Sequence, residues 1–149
     1  MKKIALALSA IALSAAAATA ADDPIGVRKA LMQATGASAG TASAMMKGDL
    51  DYNPAVAKAS IATMAAVAKA YGDYFPEGSD MGADTTAAPK IWEDAAGFQE
   101  ALAKFQADTS AAMQASGKDG PADLDAFKAA MGPVLANCKS CHEGFRVKK

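Results

Sequence analysis

The segment ANCKSCHEGFR, residues 136–146, gathers the residue types of this chain that carry chemistry. It contains both cysteines of the protein, Cys138 and Cys141, and its single histidine, His142. Because residues three and four apart lie on one face of a helix, these three side chains point in the same direction if the segment is helical. Cys-x-x-Cys-His is the attachment motif of c-type haem, in which two thiols form thioethers and the histidine binds the iron. The sequence therefore predicts one covalently attached haem c per chain.

Three other uses of two neighbouring cysteines compete with haem attachment. A disulfide between Cys138 and Cys141 suits an oxidising compartment, but within one helical turn it would constrain almost nothing. A thioredoxin-like redox pair normally lies beside a βαβ pattern, and no segment of this chain alternates with the period of a strand. A structural zinc site needs four ligands, whereas the chain has two cysteines and one histidine. Haem attachment is favoured over all three.

The N-terminal segment MKKIALALSAIALSAAAATAADD has the features of a bacterial secretory signal peptide. Two lysines precede an apolar core over residues 4–13, and small residues form a cleavage site. A membrane anchor is the alternative, but the apolar core is shorter than the roughly 20 residues that a span needs. We predict a signal peptide over 1–20, cleaved near Ala20 or Ala21, and a soluble mature domain over 21–149 in the periplasm.

The charge of the mature chain argues against nucleic acid as a partner. Cleavage removes two of the 15 basic residues and leaves 13 against 16 acidic ones. This mildly acidic balance contains no basic patch of the kind that binds phosphates. The composition is rich in alanine and poor in aromatic and β-branched residues, which favours helices.

Apolar residues recur with helical periodicity in four segments separated by glycine and proline. The breaks include Gly48-Asp49, Phe75-Pro76 and Gly117–Pro121, and Asp23-Pro24 and Asn53-Pro54 resemble helix starts with an N-cap followed by proline. Four such helices joined by mostly short connections predict an all-α, antiparallel four-helix bundle. The segments run from about 24 to 47, from 54 to about 75, from about 89 to 116, and from about 123 to the C-terminal motif, with a loop over 76–88.

The last segment directs the haem into the core of the bundle. Cys138 and His142 fall on the same helical stripe as Phe127, Met131 and Leu135. Gly132-Pro133 interrupts this stripe, and we expect a bend or a fresh helical start there.

The single histidine excludes bis-histidine ligation of the iron. The sixth position is then occupied by methionine, by lysine, by water or by nothing. A methionine ligand is typical of an electron carrier, whereas an open position permits binding of small gases. Most methionines of the mature chain are expected to fill the core. The candidates are Met32, Met45, Met46, Met64, Met81, Met113 and Met131.

Beyond the haem motif, several stretches resemble the class II cytochromes c, and most closely cytochrome c′. The resemblance covers essentially the whole mature chain, and its most specific features are the C-terminal position of the motif and the PKIW stretch. The matching stretches are VRKALMQATG at 27–36, MKG at 46–48, YFPEGS at 74–79, PKIWEDAAGF at 89–98 and CKSCHEGFR at 138–146.

The resemblance implies a haem protein for electron transfer, for binding of NO and CO, or for both, and not an enzyme. A haem peroxidase is the competing class, but the chain has no second histidine to act as a distal acid or base. Periplasmic redox partners are implied. Members of the family often dimerise through their first two helices, so a homodimer is a further expectation.

The resemblance also implies roles for individual residues. Arg28 matches an arginine beside a haem propionate, and Arg146 matches one that packs near the axial imidazole. Thr86 falls where the family has a propionate contact, although Asp84 takes that place in another alignment of the loop. Trp92 is expected to pack near the haem edge.

Met32 is the position at which the family divides. In high-spin cytochromes c′ the residue here covers the distal face without binding, and the iron stays five-coordinate. In low-spin relatives a methionine here is the sixth ligand. Because Arg28 precedes Met32 by four residues, as in cytochromes c′, the high-spin form is preferred and the Met32-ligated form is the alternative.

Overall fold

A computed structural model describes residues 23–147 of the chain. The predicted signal peptide over 1–20 lies outside the described residues. Within residues 23–147 the fold is all-α, and the only extended pairing is one isolated antiparallel bridge between Ala87 and Arg146. The helices are α1 (Pro24–Lys47), α2 (Pro54–Ala70), the short α3 (Lys90–Glu93), α4 (Ala95–Ala115) and α5 (Leu124–Phe145), with a 3₁₀ turn (Tyr71–Tyr74) after α2.

Each long helix begins with a side chain that caps its first turn. The two predicted starts, Asp23 and Asn53, are confirmed, and their side-chain oxygens accept from the backbone N–H of Gly26 and Val56. α4 and α5 begin in the same way. Such caps satisfy N–H groups that have no partner within the helix, and each contributes about 1 kcal/mol.

The third predicted segment is divided in the structure. It was expected to run as one helix from about 89 to 116, but α3 ends at Glu93 and α4 begins at Ala95. The reason is Asp94, which leaves the helical conformation (φ −125°, ψ 59°) and accepts a hydrogen bond from the N–H of Gly97 at 3.1 Å. Aspartate favours this capping geometry over a position inside a helix.

α5 continues across Gly132-Pro133 without a second start. Gly132 has no Cβ to collide with the proline ring, which removes the usual restriction on the residue before proline. Both residues are exposed, as is Ala129, whose carbonyl loses its intrahelical partner and can bond to water instead.

The four long helices form the predicted bundle, in which α1 packs on α2, α2 on α4 and α4 on α5. α1 and α5 touch far less than these three pairs do. None of the helices among residues 23–147 is both long and apolar enough to cross a membrane.

The core has two separate parts. One end of the bundle is filled by small and flexible apolar side chains around Phe127, and the other by an aromatic group around Phe98. Met45, Met64 and Met131 are fully buried at the first end, as expected of methionines that fill the core. Met81, in contrast, is 77% exposed.

The turn before α5 generates a prediction about stability. Gly120 has φ +104°, and a Cβ there would collide with the backbone carbonyl of Pro54. We expect Gly120→Ala to lower the free energy of unfolding by about 2 kcal/mol or more, from backbone strain and overpacking together. Thermal unfolding followed by circular dichroism measures this.

The matched control is Gly40→Ala, in the exposed middle of α1, where a Cβ meets nothing within 4 Å. That change should raise stability by about 0.5–1 kcal/mol, because alanine is the better helix former. Equal effects of the two substitutions would contradict the close approach of the Gly120 turn to Pro54.

Candidate functional site

A cavity of about 530 Å³ lies between α1, α4 and α5, at the aromatic end of the bundle. It occupies the place where α1 and α5 stand apart. The residues of each wall come from different parts of the chain. They include Arg28, Met32 and Thr35 of α1, Tyr71 and Phe75 after α2, Thr85–Ala87 of the following loop, Phe98 and Leu102 of α4, and Cys138, Cys141, His142, Phe145 and Arg146 at the end of the chain.

The α5 wall carries the three residues of the sequence motif. Cys138, Cys141 and His142 all line the cavity, as their spacing on one helical face predicts. Both cysteines are free thiols, and burial raises the pKa of each. At neutral pH they therefore stay protonated, which disfavours oxidation.

Partial burial, reinforced by the positive charge of Arg146, lowers the pKa of His142. The imidazole is consequently neutral at pH 7 and has a lone pair available for a metal. His142 and Arg146 are both exposed, so this edge of the cavity opens to solvent. Both residues line the cavity.

The α1 wall faces these residues across the cavity. Met32 is partly buried and lines it, together with Thr35 one turn later. Thr35 is buried and its hydroxyl donates to the Leu31 carbonyl at 2.9 Å. Among residues 23–147, the methionine to which the family resemblance points is thus the one that lines the cavity. Met45, Met64 and Met131 instead lie in the core at the other end.

Arg28 is only 4% exposed, although by itself its charge would suggest a surface residue. Its guanidinium lies over the ring of Phe75, with Cζ 4.6 Å from the ring centroid. Nη1 donates to the Tyr74 carbonyl at 3.1 Å and to Ser79 Oγ at 2.9 Å, and Nη2 donates to the Ser79 carbonyl at 2.7 Å and to Thr85 Oγ1 at 3.5 Å. All four terminal N–H groups are therefore directed at the loop after α2.

We call residues 75–88 the strap, because they connect the α1 side of the cavity to the α5 side. Arg28 holds the strap to α1. Its other end pairs with the end of α5, where Val147 N–H donates to Thr86 O and Ala88 N–H donates to Phe145 O, both at 3.0 Å. Thr86 lines the cavity, and Asp84 is not among the residues that do.

Aromatic rings close the cavity at the strap end. Phe98 packs edge-to-face against Phe75 and Phe145, with centroids 4.7 and 5.3 Å apart. Trp92 lies behind this group, tilted against Phe75, and its Nε1–H donates to the Pro76 carbonyl at 3.2 Å. Trp92 therefore supports the strap and is not among the cavity-lining residues.

Sequence reasoning gave no site role to several polar residues of the walls, among them Tyr71 and Asn137. Tyr71 lines the cavity, and burial together with the neighbouring Cys141 raises its pKa to about 12, so the phenol stays neutral. Asn137 is buried beside Cys138 and donates to Asp108 Oδ2 of α4 at 2.7 Å. The position of Asn137 next to the motif, on the buried face of α5, was the available signal.

Comparisons with known proteins agree on one family. The family model described as Cytochrome C' matches residues 23–146. A cytochrome c' from Rhodopseudomonas palustris is 40% identical over 99% of this chain and 97% of its own length. A cytochrome c-556 from Agrobacterium tumefaciens (strain II Chrys) is 37% identical over 82% of this chain and 95% of its own.

Solved structures show the same likeness. The solved structure of cytochrome c' from Rhodopseudomonas palustris has a TM-score of 0.77 and 42% identity, and the match covers 85% of this chain and 98% of that one. Cytochrome c prime from Shewanella frigidimarina also has a TM-score of 0.77, at 31% identity over 85% and 96% of the two chains. The family model spans nearly all described residues, and the relatives align almost end to end. This chain therefore belongs to the cytochrome c′ family of class II c-type cytochromes, which carry covalently bound haem c.

Proposed function

We propose that this chain is a periplasmic haem protein that transfers electrons, binds small gases such as NO and CO, or does both, at a five-coordinate high-spin iron. One observation carries the proposal. Cys138, Cys141 and His142 of α5 line the same cavity as Met32 of α1. When bound, haem supplies a one-electron iron couple and, where an axial position is free, a site for a diatomic gas.

The chemistry of the walls fits this cofactor. Cys138 and Cys141 are thiols that can form the two thioethers, and His142 offers a neutral imidazole one residue later. The rings of Phe75, Phe98 and Phe145 give the apolar contact that a porphyrin needs. We assign no catalytic residue, because the single histidine would hold the iron and would not be free to act as an acid or base.

Three further residues would meet the polar parts of the cofactor. Arg28 brings a buried positive charge to the wall, although its terminal N–H groups already bond to the strap, so its effect on a propionate is mainly electrostatic. Thr86 offers a hydroxyl from the strap. Arg146 stands beside His142 at the exposed edge, where a periplasmic redox partner would approach.

The alternative function is a low-spin electron carrier in which Met32 is the sixth ligand. It is favoured by the position of Met32, which lines the same cavity as Cys138, Cys141 and His142. The five-coordinate form is preferred because the family model and the 40% identical relative are both cytochrome c′. In that form Met32 restricts the distal face without binding the iron.

Haem attachment generates the first functional prediction. In protein purified from a host that attaches haem c, Cys138→Ala combined with Cys141→Ala should abolish covalent haem, measured as the mass of the denatured chain. Each single variant should retain one thioether and a strained, less stable adduct. The control is Ser140→Ala, on the exposed face of the same helix. Haem that stays covalent in the double variant would contradict the assignment.

The role of Met32 is tested by Met32→Ala and by Met81→Ala, an exposed methionine that serves as the control. If Met32 only covers the distal face, its removal should leave the high-spin spectrum unchanged. The rate of CO association should rise roughly tenfold, equivalent to a barrier lower by about 1.4 kcal/mol.

The Met32-ligated alternative predicts a different outcome for the same variants. The wild-type protein would then show a low-spin spectrum with a methionine–iron band in its oxidised form, and Met32→Ala would abolish that band. Met81→Ala should leave the spectrum and the CO kinetics unchanged in either case.

Export is tested by expressing the full chain in a bacterium with a periplasm. We expect the holoprotein in the periplasmic fraction, with an intact mass that begins at Ala21 or Asp22. A chain that keeps residues 1–20 and stays with the membrane fraction would support the anchor instead.

Size-exclusion chromatography of the same sample tests for the expected homodimer.

A further inference from the structure

Ser79 of the strap is a buried polar residue whose function the haem motif does not explain. It accepts hydrogen bonds from both terminal nitrogens of Arg28: Nη1 donates to its hydroxyl at 2.9 Å, and Nη2 donates to its carbonyl at 2.7 Å. These are the two shortest hydrogen bonds of Arg28. A single residue therefore fixes both the position and the plane of the guanidinium.

Ser79 is itself held in one orientation. Its hydroxyl donates to the Pro76 carbonyl at 2.7 Å, and its N–H donates to the same oxygen at 3.2 Å. Because a serine hydroxyl has one proton, its use on Pro76 leaves only lone pairs to face Arg28. The Pro76 oxygen also accepts from Trp92 Nε1, which ties this turn to α3. The acceptor for Arg28 is thus preorganised.

The guanidinium that Ser79 holds has no carboxylate partner among residues 23–147. Burial lowers its pKa, but an arginine stays protonated throughout the physiological range. Carbonyls, hydroxyls and the ring of Phe75 replace water around it. The result is an uncompensated positive charge fixed in the wall of the haem cavity.

We propose that Ser79 is a positioning residue that holds Arg28 at one place in this wall and so sets the reduction potential of the haem. The inference rests on the proposed haem site. A nearby positive charge stabilises the form of the cofactor that carries the additional electron, and the interaction depends on distance. Without the Ser79 hydroxyl, Nη1 keeps only the Tyr74 carbonyl and the guanidinium is held mainly through Nη2. The guanidinium can then tilt away from the cavity, and the stabilisation of the ferrous form by its charge is reduced.

The experiment measures the midpoint potential of four holoproteins: wild type, Ser79→Ala, Arg28→Gln and the double variant. Ser79→Ala should weaken the preference for the ferrous form about threefold, which is about 30 mV at 59 mV per tenfold for one electron. Arg28→Gln should lower the potential by at least as much. In the Arg28→Gln background, Ser79→Ala should add nothing, because its effect passes through the charge.

Two further variants separate positioning from general stability. Ser79→Thr keeps the hydroxyl and should restore the wild-type potential, whereas the control Ser110→Ala, exposed on α4, should not change it. If Ser79→Ala fails to accumulate, Thr85→Val removes the weaker contact to Nη2 and should give a smaller shift of the same sign. That shift should also disappear without Arg28.

The proposal is overturned if Ser79→Ala leaves the potential unchanged, or shifts it equally with and without Arg28. A lower unfolding temperature with an unchanged potential would likewise assign Ser79 to stability alone. Mass spectrometry of the wild type is done first. Absence of covalent haem there would overturn the proposed function, whereas covalent haem with unresponsive potentials overturns only the role of Ser79.

Discussion

The separation of α1 and α5 at one end of the bundle is the constraint on which the remainder of the structure depends. The cavity between them measures about 530 Å³, is lined mainly by apolar groups and opens to solvent at the His142 edge. Apolar walls of this kind are better covered by an apolar occupant than by water. The haem is therefore as much a part of the core as Phe98 is.

The strap connects α1 to α5 at the end of the bundle where these two helices are separated. Because α1 and α5 pack on each other only in part, they need another connection, and residues 75–88 supply it through Arg28 on one side and the end of α5 on the other. A buried arginine is costly unless its donors are satisfied, and here four hydrogen bonds and an aromatic face compensate for the lost water. The same charge lies in the wall of the cavity. In the proposed haem site, one residue would therefore serve both the closure of the bundle and the electrostatics of the cofactor.

How much could be predicted from the sequence depends on how far apart the interacting residues lie along the chain. The motif at Cys138 and the cap at Asp23 depend on neighbours three or four residues away, and both are found in the structure. The capping role of Asp94 was missed because a helical stripe continues across it. The contact of Arg28 with Ser79 spans 51 residues, and no local pattern in either segment indicates the other. Only the family resemblance indicated that Arg28 belongs to the site.

The rotation of α5 about its own axis determines the direction in which the motif residues point. An apolar stripe tolerates small rotations, because hydrophobic contact has no preferred direction. Asn137 removes this freedom: its amide must meet Asp108 Oδ2 on α4, which Lys104 holds from the solvent side at 2.7 Å. These two hydrogen bonds lower the pKa of Asp108, so the carboxylate remains ionised and the tie persists at neutral pH. Since Cys138 is the next residue, the direction in which Asn137 points also fixes the direction of the thiols and the imidazole. A polar contact on the buried face of α5 therefore gives the haem-binding wall an orientation that packing alone would leave variable.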